Sequence, residues 1–107
     1  MNQPLSLATG LLALQRHSAE FINLFAHGSL VVDFYKPDRV DKQPHPRHEV
    51  YIITNGTGTF DPAGCQMAVK PGDLLVVPAG TDHRFRHFPD DFATWVLFYG
   101  PDGGKEA

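Results

Sequence analysis

No apolar run in this chain lasts long before glycine, proline, asparagine or aspartate interrupts it. The interruptions fall at His27-Gly28-Ser29, Asn55-Gly56, Asp61-Pro62, Pro71-Gly72-Asp73, Pro78 and Gly80, and Pro89-Asp90-Asp91. Between them lie short pieces rich in Phe, Val, Ile and Tyr, at the roughly 8–12-residue spacing that marks an all-β sandwich or barrel. Residues 21–26 alternate before a turn and residues 30–36 return. Asn55-Gly56 is the dipeptide favoured in two-residue hairpin turns, so residues 49–54 and 57–60 are expected to pair. Residues 74–77, Leu-Leu-Val-Val, fit a strand buried on both faces. The sum is about eight short strands in hairpin order, without the βαβ alternation of a parallel sheet.

With 107 residues the chain is long enough for one core. Residues 20–100 are expected to form the barrel. Residues 1–19 form a short segment, irregular or helical because Gly10 interrupts the leucines, that packs on the barrel or in dimer contacts. Residues 101–107 are expected to be a flexible tail. Nine Lys and Arg against twelve Asp and Glu leave a formal charge of −3, which offers no basic field for nucleic acid or an anionic membrane. The apolar runs are too short to span a bilayer as helices. A single cysteine, Cys65, and an opening without a basic-then-apolar leader suggest a cytoplasmic setting.

The residues able to do chemistry fall in two clusters. The first is Gln43-Pro44-His45-Pro46-Arg47-His48-Glu49, followed at a distance by Gly56. The second is Gly72, Pro78, Gly80, His83 and His87. Gln43 and His45, two apart, face the same way on an extended chain. A glutamate facing a barrel interior is costly unless paired or bound to a metal. His48 would point away from Glu49. If the kink at Pro46-Arg47-His48 shifts the register by one, His48 takes the place of Gln43.

Here the chain resembles the small single-domain cupins, whose fold is a double-stranded β-helix, an antiparallel jelly-roll barrel. Their first motif, G-x5-H-x-H-x3,4-E-x6-G, is matched by His45, Glu49 and Gly56. Their second, G-x5-P-x-G-x2-H-x3-N, is matched by Gly72, Pro78, Gly80 and His83. Three positions depart: Pro37 replaces the opening glycine, Gln43 the first histidine and His87 the asparagine. The resemblance implies one divalent metal ion (Fe, Mn, Zn or Ni) held by Gln43, His45, Glu49 and His83. An amide is a weaker donor than imidazole, so Gln43 either ligates directly or hydrogen-bonds substrate or water. A Gln-x-His pair with a glutamate and a later histidine is also similar to the zinc site of type I phosphomannose isomerases.

Tyr51 and Ile53 share the face of Glu49, and Phe85 that of His83, which places all three against a bound small molecule. Tyr51 and His87 are the groups expected to move protons; His87 continues the strand on the face of His83. Such a site suits metal-assisted isomerisation or elimination, or O2-dependent oxidation. The alternative is a non-catalytic cupin that binds a small molecule with a weak or vacant metal site. Unpaired strand edges and the spare N-terminal segment further suggest a homodimer.

Overall fold

In a computed structural model, which describes residues 4–38, 46–62 and 64–101, the chain folds into one helix and eight strands in two sheets. The strands are β1 (Phe21–His27), β2 (Leu30–Tyr35), β3 (His48–Asn55), β4 (Gly58–Pro62), β5 (Met67–Val69), β6 (Leu74–Val77), β7 (His83–Arg86) and β8 (Ala93–Tyr99). The larger sheet runs β1-β2-β8-β3-β6 and the smaller β5-β4-β7, and every pairing is antiparallel. This is the all-β jelly roll expected from the punctuation of the sequence.

The period-2 alternation decides what lies between the sheets. Tyr51 and Ile53 of β3, Phe60 of β4, Val69 of β5, Val77 of β6, Phe85 of β7, Val96 of β8 and Phe92 just before it form the main core. Thr94, Val96 and Phe98 therefore face inward on β8, while Trp95, Leu97 and Tyr99 face out.

The ambiguous N-terminal segment is a helix, α1 (Leu7–His17), capped by Ser6, whose hydroxyl accepts from the Thr9 amide. Its Leu14 and Leu11 pack on Phe34, Ala93, Trp95, Ile22 and Leu24, forming a second core on the outer face of the larger sheet. Gly10 does not break this helix. It lets the helix approach the Phe34 ring so closely that a Cβ there would lie 2.6 Å from Phe34 Cγ.

Two local expectations are overturned. Asn55-Gly56 does not close a β3–β4 hairpin: β3 pairs with β6 and β8, and β4 with β5 and β7. The chain instead crosses from one sheet to the other there. Gly56 takes φ +76° because it passes against the Phe92 backbone, where a Cβ would lie 2.9 Å from Phe92 Cα. The strands thus do not run in simple hairpin order. Nor is β6 buried on both faces. It is an edge strand, with Leu75 and Val77 inward and Leu74 and Val76 outward, 58% and 59% exposed. The tail from residue 102 lies outside the described residues.

Candidate functional site

β3 carries the centre of the site. Its inward positions are Glu49, Tyr51 and Ile53, all fully buried. Across the barrel, β7 presents His83, also buried, from the smaller sheet. The turn before it sets the ring: the Thr81 amide donates to Pro78 O, and Thr81 O lies 2.7 Å from His83 Nδ1. A carbonyl only accepts, so Nδ1 carries a proton, and in the neutral form of the ring Nε2 presents its lone pair to the interior. There Tyr51 Oη lies 3.0 Å from Nε2 and donates to it.

Glu49 Oε1 lies 3.5 Å from the same nitrogen. That separation exceeds the roughly 2.7–2.9 Å of a charge-assisted hydrogen bond, so this is proximity rather than a formed ion pair. Consistent with that, neither Glu49 carboxylate oxygen has a hydrogen-bond partner among the described residues. Leaving a buried polar group unsatisfied costs about 1–3 kcal/mol, and more for a charged one. A fold that tolerates this cost is holding the group for something else.

A cavity of about 390 Å³ opens beside Glu49 and Tyr51, within the range of small-molecule sites. Its wall is supplied by the inward faces of β2 (Val31, Asp33 and Tyr35) and β8 (Val96 and Phe98), with Glu20, Phe21 and Arg47 toward the start of β1 and β3. Glu20 accepts from the Asp38 amide, and Asp33 from Asn23. Arg47 donates through Nε to Gly100 O at 2.9 Å and through a terminal nitrogen to Ser29 O, tying the β1–β2 turn and the end of β8 to the start of β3.

The structure brings Glu49, Tyr51 and His83 together. Gln43 and His45 lie outside the described residues. Among the described residues no three His, Cys, Asp or Glu side chains form a metal-holding group. Ile53 and Phe85 sit in the packed core rather than on the cavity wall, Phe85 edge-on to Tyr51 with ring centroids 4.9 Å apart. His87 is not on the face of His83. β7 ends at Arg86, and His87 takes the left-handed φ of +54° and is exposed beside Thr57, Thr59 and Lys70 on another side of the molecule. His48 lies on the face of β3 opposite Glu49, with Nδ1 accepting from the Ala79 amide at 2.9 Å. The β2 contribution to the wall carried one signal in the sequence: Asp33 at an alternate position in an otherwise apolar strand.

A two-sheet barrel with a carboxylate, a phenol and an imidazole converging beside a cavity defines a barrel-pocket protein with its chemistry on the inward face. The chain belongs to the cupin family: the cupin domain model matches residues 31–99. It is 31% identical over 61 residues to an uncharacterized protein of Streptomyces coelicolor, covering 57% of this chain and 58% of that one. It is 43% identical over 47 residues to acireductone dioxygenase 1 of Coprinopsis cinerea, covering 38% of this chain and 26% of that one. Among solved structures it is similar to the DMSP lyase DddQ of Ruegeria pomeroyi, with TM-score 0.62 and 25% identity over 75% of this chain and 46% of that one. The chain thus spans little more than half, or less, of each of these relatives. Among the described residues no helix is long and apolar enough to cross a membrane.

Proposed function

We propose that this cupin holds one divalent metal ion through Glu49 and His83, with His45 and Gln43 completing the set, and catalyses metal-assisted proton transfer on a small molecule, as an isomerase or lyase. One observation carries this reading: an unpartnered buried carboxylate beside an imidazole lone pair, at the wall of a small-molecule-sized cavity. Donors of this kind, imidazole with carboxylate, suit Fe, Mn, Zn or Ni. The ion would supply Lewis acidity toward a substrate oxygen.

This chain's own residues do the rest. Thr81 O fixes the His83 tautomer, so that Nε2 faces inward. Tyr51, whose hydroxyl meets His83 Nε2, is the group that carries the proton. Val31 of β2 and Val96 and Phe98 of β8 give the cavity an apolar side against which the substrate's carbon skeleton would pack. The likeness to a DMSP lyase favours elimination, whereas the shorter match to a dioxygenase favours oxidation as the second reading.

The test is the metal-loaded protein in D2O with a panel of small carboxylic and carbonyl compounds, followed by NMR. The reading expects metal-dependent deuterium exchange or elimination at the carbon beside the carbonyl, lost in Tyr51→Phe. Oxygen uptake without exchange would replace it with the dioxygenase. Ligand-induced stabilisation with neither reaction would replace it with a non-catalytic binding protein.

For the assembly we propose a homodimer through the outer face of the larger sheet. There Val76, Val50, Leu97 and Val32 lie side by side in register, beyond the part that α1 covers. A flat apolar row of this kind is self-complementary under a two-fold axis. The exposed, unpaired Cys65 fits a reducing, cytoplasmic setting.

A further inference from the structure

The chain passes from one sheet to the other where it approaches the site. β6 ends at Val77 in the larger sheet, β7 begins at His83 in the smaller one, and Pro78 to Asp82 make the crossing. We infer that His48, on the outer face of β3, is a positioning residue for His83: its imidazole braces this crossing and so holds the His83 ring opposite Glu49. What the brace does for a metal ion rests on the metal-binding reading above; the brace itself does not.

The need for a brace follows from the topology. Among the described residues no strand pairs across from one sheet to the other, so β3 and β7 are held face to face by apolar packing, which is non-directional. The ladder between β3 and β6 stops with Glu49 opposite Val77. Beyond it the Ala79 amide has left the ladder, and a half-buried N–H needs an acceptor. It donates to His48 Nδ1 at 2.9 Å. Among the described residues, this is the hydrogen bond that ties the crossing back to β3.

From His48 a short relay reaches the site. The Ala79 N–H is held by Nδ1, the Thr81 amide donates to Pro78 O at 3.2 Å across the same turn, and Thr81 O accepts from His83 Nδ1 at 2.7 Å. Hydrogen bonds prescribe an angle as well as a distance, so the relay aims the His83 ring where packing alone would leave it free to turn. Glu49 follows His48 in β3 and faces inward. Glu49 Oε1 and His83 Nε2, 3.5 Å apart, are therefore both referred to His48, one through the backbone and the other through the turn.

The brace is itself held. The His48 ring lies against that of Tyr99, its partner on β8, with centroids 5.1 Å apart and a tilt of 33°. The next residue is Gly100, where a Cβ would lie 3.2 Å from His48 Cδ2, so the ring is closely packed on that side.

The contrary possibility is that His48 only packs on Tyr99 and supports β3. Two variants separate these roles. His48→Asn offers an oxygen near the place of Nδ1 but no ring, whereas His48→Leu fills space without an acceptor.

The experiment uses the full chain. In metal-free protein, NMR follows hydrogen exchange at the Ala79 amide and the ring nitrogens of His83 at a pH where the ring is neutral; Zn(II) affinity is then measured by competition with a chromophoric chelator. In His48→Leu the Ala79 amide should exchange faster, His83 should become a mixture of tautomers in place of the single Nδ1–H form, and Zn(II) should bind about tenfold or more weakly, the scale for groups that orient a ligand. His48→Asn should restore all three despite its lost packing on Tyr99. An unchanged Ala79 amide and His83 ring in His48→Leu would overturn the brace, and so would His48→Asn behaving like His48→Leu, because packing would then be the cause. A changed ring with unchanged Zn(II) affinity would overturn its consequence for the metal. Wild type that binds no Zn(II) would overturn the metal-binding reading alone, and the amide and ring measurements would still decide the brace.

Discussion

Replacing Glu49 with methionine in metal-free protein should make the protein more stable. Glu49 is 1% exposed and neither of its oxygens has a hydrogen-bond partner among the described residues. Methionine has nearly the same volume, bends to fill the space and brings no polar atom that needs a partner. His83 keeps its contacts with Thr81 O and Tyr51, so the substitution leaves no new orphan. The stabilisation is then the desolvation cost no longer carried, about 1–3 kcal/mol. For a domain of this size that is a rise in Tm of roughly 4–15 °C. The assay is thermal unfolding followed by circular dichroism in the presence of a chelator. Adding metal should reverse the order, because an ion at one thousand times its Kd stabilises wild type by about 4.1 kcal/mol and has no site in the variant. A variant equal to or less stable than metal-free wild type would refute the reasoning, since Glu49 would then already be satisfied in the fold.

Gly10→Ala should destabilise, although alanine favours helix by about 1 kcal/mol. Phe34 is fully buried and edge-on to Trp95, so it cannot yield to a Cβ 2.6 Å away, and overpacking at about 1–3 kcal/mol wins; chemical denaturation reads the sign. Gly56→Ala should lower stability by about 2 kcal/mol or more, combining the left-handed backbone with a clash against Phe92, again by denaturation. The Asp73 carboxyl is held below its ordinary range by hydrogen bonds from the side chain and the backbone amide of Lys70. Its contribution is therefore present above the unfolded value near 3.8 and is lost as pH falls through the lower folded value; Asp73→Asn should flatten the acid limb of a stability–pH curve in that window. Val76→Lys, on the exposed face of β6, should shift sedimentation at micromolar concentration from dimer to monomer without lowering Tm through lost core packing.

How much the sequence revealed follows from the range of the interactions. The alternation of β3 and β8 and the turn residues gave the fold class, because inward and outward positions are written locally. Glu49 and His83 were legible because the motif spacings that carry them are fixed by one strand and one turn. Asn55-Gly56 misled because the same positive-φ geometry serves a hairpin and a crossing between sheets, and only the partner of β4, far along the chain, decides which. The continuously apolar composition of Leu74 to Val77 fits a doubly buried strand, yet its place at the edge of the sheet is a property of topology. Gly10 looked like a breaker when it is a contact with Phe34, a residue in another element. The cavity wall from β2 and β8 was missed for the same reason. His87 would share the face of His83 only if β7 continued, and its left-handed backbone ends the strand one residue earlier.

The most direct test is the metal content of untagged protein by plasma mass spectrometry, with wild type beside His45→Ala, His83→Ala and Gln43→Ala. Metal binding at this site predicts close to one equivalent of Fe, Mn, Zn or Ni in wild type, lost in His45→Ala and His83→Ala and reduced in Gln43→Ala. Wild type that remains empty after incubation with each of those ions would contradict it and leave a ligand-binding barrel in its place.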